Sequence, residues 1–267
     1  MDIAKLFSLE GRVALVTGGS RGLGRMVAQG YLAAGCARVY ITARKADVVE
    51  ATAAELGPRC IALPGDISRM EDIQALADSL AAREEKLDIL VNNAGIAWGA
   101  EFERFPEGGW DKVMALNVKT PFFLTQKLHG LLKAAASRDR PAKVINISSI
   151  DGLRLNPWET YSYQASKAAL VHLTRRMAAR LIRDHIVVSS LAPGAFGSEM
   201  NRAAAHAAQK MAEEIPSGRV GLPEDMAGAA IFLASRAGDY VVGSTLPVDG
   251  GIVNGWIPKD FVSPTGY

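Results

Sequence analysis

Short apolar runs alternate with longer segments of helical periodicity along the chain. Seven runs are continuously apolar, which is typical of strands buried on both faces of a parallel sheet. These predicted strands are Arg12–Thr17, Arg38–Thr42, Cys60–Leu63, Asp88–Val91, Lys143–Ser148, Ile186–Leu191 and Ser244–Val248. Between them, an apolar period of about 3.6 residues predicts helices. The predicted helices are Gly22–Ala34, Ala46–Leu56, Arg69–Glu84, Trp110–Ala136, Ser162–Arg183 and Pro223–Ala234.

This alternation predicts an α/β fold made of βαβ units. Right-handed crossovers then give a doubly wound, seven-stranded parallel sheet with helices on both faces. No change of composition marks a linker, so we expect a single domain over residues 1–267. Residues 195–219 form a long insertion after a strand, which we interpret as a mobile lid. Residues 252–267 form a tail that contains Pro and Gly.

The composition excludes several classes of protein. With 49% hydrophobic residues, the 267-residue chain has enough apolar surface for a folded core. The 30 basic and 28 acidic residues leave a net charge of +2, so we expect no nucleic-acid partner. No apolar run approaches the ~18 residues of a membrane helix, and the N-terminus lacks a signal-peptide pattern. We therefore expect no membrane partner and a cytoplasmic location.

Neither cysteines nor histidines show the spacing of a metal site or a disulfide framework. The two cysteines, Cys36 and Cys60, fit small core residues in a reducing compartment. The histidines show no paired spacing with carboxylates or cysteines. We expect no metal.

A glycine-rich segment follows the first predicted strand and opens the next helix. It contains Thr17, then glycines at 18, 19, 22 and 24. Glycines at such a turn let backbone amides approach a pyrophosphate at a helix N-terminus, which predicts a Rossmann fold that binds a dinucleotide. The alternative is an ordinary βα turn whose glycines serve steric needs alone.

The charges near this loop indicate which dinucleotide is bound. Folds that prefer NAD usually carry an acid about 20 residues further on, which binds the ribose 2′-hydroxyl. Here no Asp or Glu occurs between Glu10 and Asp47. Instead, Arg44 follows the second strand and Arg21 lies within the loop. Since a guanidinium can grip a 2′-phosphate with two hydrogen bonds, the sequence predicts NADP(H). We interpret Arg38 and Lys45 as solvated surface residues.

Tyr163 and Lys167 are spaced to lie on one face of a predicted helix. A nearby cation favours the phenolate, so Lys167 would lower the pKa of Tyr163 and suit it to general acid–base work. On spacing alone the pair could equally be exposed helix residues.

With these motifs in this order, the chain resembles the short-chain dehydrogenase/reductase family from about Leu9 to Gly251. Further matches are Asp66-Ile67, Asn92-Asn93-Ala94-Gly95, Asn117, Asn146-Ile147-Ser148-Ser149, and Pro193-Gly194 followed by Ser198-Glu199-Met200. Ser198 replaces the family's Thr. The interval between Ser149 and Tyr163 is one residue longer than in many members.

The resemblance implies roles for individual residues. Tyr163 would be the acid/base, Lys167 would bind the nicotinamide ribose, Ser149 would orient the substrate oxygen, and Asn117 would complete a proton relay. Ser149 is preferred to Ser148 because Gly152 completes a Ser-x-x-Gly match. The implied cofactor-binding residues are Gly18, Ser20, Arg21, Gly22, Leu23, Gly24, Arg44, Asp66, Ile67, Asn93, Ala94, Gly95, Tyr163, Lys167, Pro193, Gly194 and Ser198.

Apolar residues near these motifs predict a largely apolar substrate pocket. Its expected members are Trp98, Leu153, Trp158, Phe196 and Met200, with packing of the fold as the alternative for Trp98. The stretch from Asn92 through Trp98-Gly99-Ala100, followed by Gly109-Trp110, is similar to 3-oxoacyl-thioester reductases of the rhamnolipid-pathway type.

This resemblance implies an NADPH-dependent reductase that turns a ketone into a secondary alcohol, with a 3-oxoacyl thioester or related carbonyl compound as substrate. One alternative is a broad carbonyl reductase or secondary-alcohol dehydrogenase for bulky or aromatic ketones. Another is a catalytically silent NADP(H)-binding regulator, against which the intact Asn117, Ser149, Tyr163 and Lys167 argue. Family members pair through two long helices, so a homodimer or homotetramer is expected.

Overall fold

The computed structural model describes residues 1–197 and 211–255. Seven strands form one sheet in the order β3-β2-β1-β4-β5-β6-β7, and every pairing is parallel. The strands are β1 Val13–Thr17, β2 Arg38–Thr42, β3 Cys60–Ala62, β4 Ile89–Asn92, β5 Ala142–Ile147, β6 Ile186–Pro193 and β7 Thr245–Val248. The predicted fold class is therefore confirmed, and each predicted strand lies within two residues of its observed bounds.

Helices connect the strands and cover both faces of the sheet. They are α1 Ile3–Phe7, α2 Gly22–Ala33, α3 Ala46–Leu56, α4 Met70–Ala81, α5 Glu107–Met114, α6 Thr120–Lys127, α7 His129–Ala135, α8 Tyr161–Leu181 and α9 Pro223–Ala234. Short α1 was not predicted from the sequence, whereas α3 and α9 match their predicted bounds.

Side chains from each strand alternate between two apolar layers. Ala14 and Val16 of β1 face the layer filled by α2, α3 and α9, whereas Val13 and Leu15 face the layer filled by α4, α6, α7 and α8. Every β1 residue is buried, because both faces of the strand are covered.

The long helix predicted over Trp110–Ala136 is interrupted. A π-helical turn at Ala115–Lys119 separates α5 from α6, and Leu128 separates α6 from α7. Pro121 has no N–H to donate to the carbonyl of Asn117, four residues earlier, so the regular helical ladder cannot continue through this turn. The turn places Asn117 beside the carboxyl end of β4.

The strand order reverses direction between β1 and β4. In open α/β sheets, ligands bind at the carboxyl edge of such a switch point. The glycine loop follows β1 and Asn93 follows β4, so both lie at this edge. The predicted lid at 195–219 begins at the same edge after β6. Its residues 198–210, with Ser198 and Met200, lie outside the described residues.

Candidate active site

The glycine loop packs too closely against its neighbours to carry side chains at Gly18 and Gly24, among other positions. A Cβ atom on Gly24 would lie 2.3 Å from the Gly18 carbonyl oxygen and 2.4 Å from Nδ2 of Asn93. Gly18 has a φ of +65°, and a Cβ there would lie 3.1 Å from the Cα of Ala94. Glycine is therefore required at both positions. Gly24, in the first turn of α2, allows the Gly18 carbonyl and the Asn93 side chain to approach the helix closely.

Residues after β4 fix the position of this loop. Nδ2 of Asn93 donates to the Thr17 carbonyl at 2.8 Å and to the Gly18 carbonyl at 3.2 Å. Oγ1 of Thr17 accepts from the backbone N–H groups of Asn93 at 2.9 Å and Ala94 at 3.0 Å. These hydrogen bonds join the carboxyl ends of β1 and β4 into one rigid wall.

A cleft of about 1390 Å³ runs along this wall. Thirteen of the predicted cofactor-binding residues line it: Gly18, Ser20, Arg21, Gly22, Leu23, Arg44, Asp66, Ile67, Asn93, Ala94, Gly95, Tyr163 and Lys167. Pro193 and Gly194 instead line an adjoining cavity, at the end of β6.

The cleft fits a dinucleotide at its pyrophosphate end. The N-cap residue of α2 is Arg21, whose side chain has no acceptor atom for the first backbone N–H groups of the helix. Those N–H groups therefore lack an N-cap side chain, in a place where the helix dipole favours an anion. Thr42, at the end of β2, lines the same cleft with a buried hydroxyl that has no hydrogen-bond partner among the described residues.

The structure separates the arginines into two groups. Arg21 and Arg44 line the cleft and are exposed. Arg38 is bound to the buried carboxylate of Glu84 through two hydrogen bonds and does not line the cleft. Lys45, interpreted above as a solvated surface residue, also lines the cleft and adds positive charge beside Arg44.

The reacting groups meet where the cleft adjoins a second cavity. Tyr163 and Lys167 lie near the start of α8, and the side chain of Ser149 lies close enough to the Tyr163 phenol to lower its pKa. Nζ of Lys167 donates to the Ile147 carbonyl at 2.8 Å and lies 5.5 Å from the centre of the Tyr163 ring. Tyr163 lines both cavities, so it separates the cofactor side from the substrate side.

Burial controls the protonation of this pair. Burial, together with the charge of Asp151, raises the pKa of Tyr163 to about 12, against the effect of the nearby Ser149 hydroxyl. Burial also lowers the pKa of Lys167 to about 8, partly offset by Asp151. This is a correction to the expectation that Lys167 lowers the Tyr163 pKa. The ammonium is bound to a backbone carbonyl, and desolvation of the phenol prevails.

Asn117 is buried and bridges two parts of the site. Its Oδ1 accepts from the backbone N–H of Ile96 at 2.9 Å, and its Nδ2 donates to the Ile96 carbonyl at 2.9 Å and to Oγ of Ser166 at 3.0 Å. A Cβ on Gly95 would lie 3.1 Å from Oδ1 of Asn117 and 3.6 Å from Nζ of Lys167. Asn117 thus flanks the lysine, and its side chain is hydrogen bonded to the loop after β4 and to α8.

The turn that carries Ser149 lies directly on α8. A Cβ on Gly152 would lie 2.6 Å from the backbone carbon of Lys167, so only glycine allows this approach. Oγ of Ser149 accepts from the backbone N–H of Asp151 at 3.1 Å. Ser148 instead donates to the Leu191 carbonyl at 2.9 Å and accepts from Ser190 at 3.0 Å, which favours Ser149 as the serine at the phenol.

A second cavity of about 870 Å³ opens at Ser149 and Tyr163. Two of the predicted pocket residues, Trp158 and Phe196, line it. Phe196 is 3% exposed and lies against Gly221, where a Cβ would come within 2.4 Å of the ring. The other described lining residues include Ile150, Pro193, Ile215, Pro216 and Ile252, so the wall is mainly apolar.

Two predicted pocket residues, Trp98 and Leu153, do not line this cavity. The indole of Trp98 covers Gly109 of α5, with Nζ of Lys112 5.7 Å from the ring centre. Leu153 ends the turn after Ser149 and is 37% exposed. Packing is therefore the role that the structure gives Trp98.

The structure also brings in residues that the sequence analysis did not select. Asp151 lines the substrate side, Ser166 connects Asn117 to α8, and Met211 and Glu214 line the cavity from the described end of the predicted lid. Only Ser166 had a signal in the sequence, since it lies between Tyr163 and Lys167.

The described part of the chain holds neither a metal-binding cluster nor a membrane-spanning helix. Among residues 1–197 and 211–255, no cluster of His, Cys, Asp or Glu has the arrangement of a metal site. Within the same ranges, no helix is long and apolar enough to span a membrane.

Known proteins resemble the chain over most of its length. A family model described as Enoyl-(Acyl carrier protein) reductase matches residues 18–253. The rhamnolipids biosynthesis 3-oxoacyl-(acyl-carrier-protein) reductase of Pseudomonas aeruginosa is 48% identical over 250 residues, covering 92% of this chain and 97% of that protein. The 2-dehydro-3-deoxy-D-gluconate 5-dehydrogenase of Escherichia coli is 39% identical over 257 residues, covering 93% and 98%.

A solved structure supports the same assignment. The Pseudomonas aeruginosa RhlG/NADP active-site complex superposes with a TM-score of 0.89 at 47% identity, covering 93% of this chain and 98% of that one. These matches extend over nearly the whole chain and include both the glycine loop and the Tyr163–Lys167 pair. The chain therefore belongs to the short-chain dehydrogenase/reductase family of oxidoreductases, which act on alcohol and carbonyl groups.

Proposed function

We propose that the protein is an NADPH-dependent reductase that converts the ketone of a 3-oxoacyl thioester into a secondary alcohol. The observation that carries this proposal is the position of Tyr163, which lies between a cleft with exposed arginines and a mainly apolar cavity of about 870 Å³. When bound in the cleft, NADPH supplies the hydride. Arg21 and Arg44 hold its 2′-phosphate.

Tyr163 supplies the proton in this reaction. Its raised pKa keeps the phenol protonated at neutral pH, ready to donate to the carbonyl oxygen of the ketone. Ser149, which lies near that phenol in the same cavity, holds the same oxygen and fixes its direction. Together the two hydroxyl groups stabilise the negative charge that develops on the oxygen during reduction.

Lys167 and Asn117 support the phenol. Lys167 holds the nicotinamide ribose and replaces the proton that leaves Tyr163, which suits a pKa of about 8. Asn117 is hydrogen bonded both to the loop after β4 and to α8. It thereby holds the distance between the cofactor cleft and the Tyr163 phenol constant. We assign all four residues to the catalytic site on this basis.

The substrate class rests on the cavity and on the relatives. Trp158, Phe196 and Ile215 give an apolar wall suited to an acyl chain. A relative that is 48% identical is named as a 3-oxoacyl-(acyl-carrier-protein) reductase. A relative that is 39% identical is named as a sugar-acid dehydrogenase, so sugar-acid ketones are the competing substrate class.

A substrate panel tests the proposal. NADPH and NADH oxidation would be measured with 3-oxooctanoyl and acetoacetyl thioesters, aryl ketones, diketones and a sugar-acid ketone. We expect the highest kcat/KM for a 3-oxoacyl thioester with NADPH. Turnover of aryl ketones alone would favour the broad carbonyl reductase, and binding of NADPH without any turnover would favour the silent regulator.

We also propose a cytoplasmic, single-domain protein that assembles as a homodimer or homotetramer. Exposed aromatic residues beside α5 and α8, among them Phe102, Trp110 and Tyr161, support helix pairing between subunits. We propose that the segment 195–219 serves as the substrate lid, since Met211 and Ile215, in its described part, line the cavity; residues 198–210 lie outside the described residues. The tail over 252–267 adds Ile252 to the same wall.

A further inference from the structure

An acidic side chain lies on the substrate side of the reacting groups. Asp151 follows Ser149 by two residues and lines the cavity together with Ser149 and Tyr163. Its backbone N–H donates to Oγ of Ser149 at 3.1 Å, which connects the Asp151 backbone to the serine proposed to orient the substrate oxygen. Its charge acts on both Tyr163 and Lys167.

Burial and neighbouring charges act in opposite directions on the Asp151 carboxylate. Burial raises its pKa, whereas the positive charges of Arg154 and Lys167 favour the ionised form. The negative field of the ionised carboxylate reaches the cavity that Asp151 lines. The field is strong there because the wall is apolar and partly shielded from water.

Acidic residues outnumber basic ones among the described residues that line the cavity. Among the described lining residues the acids are Asp151, Glu213 and Glu214, and the one basic residue is Arg154. Arg154, Glu213 and Glu214 are exposed, so solvent screening reduces their effect, whereas Asp151 is partly buried. A second negative charge brought in by a substrate would therefore meet the like charge of Asp151 beside the phenol.

We propose that Asp151 is a specificity-determining residue that restricts this enzyme to ketones uncharged near the reacting carbonyl and excludes keto acids. The inference rests on the proposed function and deepens it. A thioester or ester masks the carboxyl group of a 3-oxo acid and is accepted, whereas the free acid and sugar-acid ketones are repelled. Selectivity here comes from repulsion of the wrong substrate as much as from attraction of the right one.

The test compares methyl 3-oxooctanoate with freshly prepared 3-oxooctanoate at neutral pH, with NADPH. These substrates share the acyl chain and differ in the charge. For the wild type we expect kcat/KM to favour the ester by roughly 100-fold. In Asp151→Asn this ratio should fall at least tenfold, or about 1.4 kcal/mol, mainly through faster turnover of the acid.

Two further variants distinguish charge from structure. Asp151→Glu keeps the charge and should retain most of the discrimination. Asp139→Asn removes an exposed charge on the loop before β5, at the opposite edge of the sheet, and should leave the ratio unchanged. A thermal melt of each variant confirms folding, and a ratio of two substrates is insensitive to the fraction of active protein.

Binding gives a readout apart from turnover. Calorimetric titration of the NADP⁺-loaded enzyme with methyl 3-hydroxyoctanoate and with 3-hydroxyoctanoate should show the same preference for the ester, weakened in Asp151→Asn. Equal use of acid and ester by the wild type, or an unchanged ratio in Asp151→Asn, would overturn the inference while leaving ketone reduction intact. If no 3-oxo compound is reduced, the proposed function fails, and the binding ratio alone decides the role of Asp151.

Discussion

Nδ2 of Asn117 donates to Oγ of Ser166 at 3.0 Å and thereby joins the π-helical turn to the helix that carries Tyr163 and Lys167. Ser166 in turn donates to the Tyr163 carbonyl at 2.7 Å. Both side chains are buried, so the connection is protected from competing water. Ser166 therefore positions the phenol relative to the loop after β4, although it does not line either cavity.

Replacement of Ser166 by alanine should weaken both the fold and the catalytic step. Loss of the hydroxyl leaves the Asn117 amide with one buried donor unpaired, which costs about 1–3 kcal/mol of unfolding free energy. We expect kcat to fall several-fold while KM for the ketone changes little, as measured by urea unfolding and steady-state kinetics.

Ser162→Ala is the matched control. Ser162 is also buried on α8, but its hydroxyl has no hydrogen-bond partner within the described part of the chain. Its removal should leave the unfolding free energy unchanged or slightly higher. Equal effects of the two substitutions would show that the Ser166 hydrogen bonds do not position the phenol.

The depressed pKa of Lys167 predicts a specific pH dependence of stability. Its pKa is about 8 in the folded protein, against 10.5 for an unperturbed lysine. Between these values the unfolded chain holds a proton that the folded protein lacks, so stability rises with pH. Relative to Lys167→Met, the wild type should gain about 3 kcal/mol of unfolding free energy across this interval.

Urea unfolding at several pH values checks this effect, and Lys86→Met, which removes an exposed lysine, serves as control. The Lys86 variant should follow the wild-type curve. Parallel curves for the wild type and Lys167→Met would contradict the buried position of the ammonium.

Charge reversal at Arg44 should change cofactor preference. Asp at this position would repel the 2′-phosphate of NADPH and accept the 2′-hydroxyl of NADH. We expect the ratio of kcat/KM for NADPH over NADH to fall by roughly 100-fold, since about 2.7 kcal/mol lies within reach of charge-assisted contacts. Arg138→Asp, which reverses an exposed charge outside the cleft, should leave the ratio unaltered.

The glycine loop makes a geometric prediction. In Gly24→Ala the new Cβ would meet the Gly18 carbonyl oxygen at 2.3 Å, so the loop must move. We expect the Kd for NADPH to rise at least tenfold and the unfolding free energy to fall by about 1–3 kcal/mol. Fluorescence titration and urea unfolding measure the two effects.

Gly130→Ala provides the control. Gly130 lies in α7 with nothing within 4 Å of its Cβ position, and alanine is the better helix former. That variant should be slightly more stable, by about 0.5–1 kcal/mol, with unchanged NADPH affinity. Tight NADPH binding by Gly24→Ala would remove the assigned role of the loop.

The sheet could be predicted because its strands are continuous apolar runs. The glycine loop could be predicted because few other residues fit the close approach of Gly18 and Gly24. The π-helical turn could not be predicted, since its apolar period resembles that of an ordinary α-helix. Leu153 and Trp98 illustrate a similar limit. Their apolar character is evident in the sequence, but whether they face a cavity, solvent or a neighbouring helix depends on the tertiary fold.

The pKa values of the residues in the site depend on burial, which the sequence does not reveal. Spacing alone predicts that Lys167 lowers the pKa of Tyr163, yet burial raises it to about 12. Asp151 follows the same logic, because a carboxylate two residues after Ser149 is unremarkable until the fold directs it into the cavity.

The most direct test of the central claim, proton donation by Tyr163, is NADPH oxidation by Tyr163→Phe with a 3-oxooctanoyl thioester. Phenylalanine keeps the ring and removes only the proton donor. We expect the rate of hydride transfer in single turnover to fall roughly 10³-fold, with NADPH affinity nearly unchanged. A single-turnover rate close to that of the wild type would contradict the account.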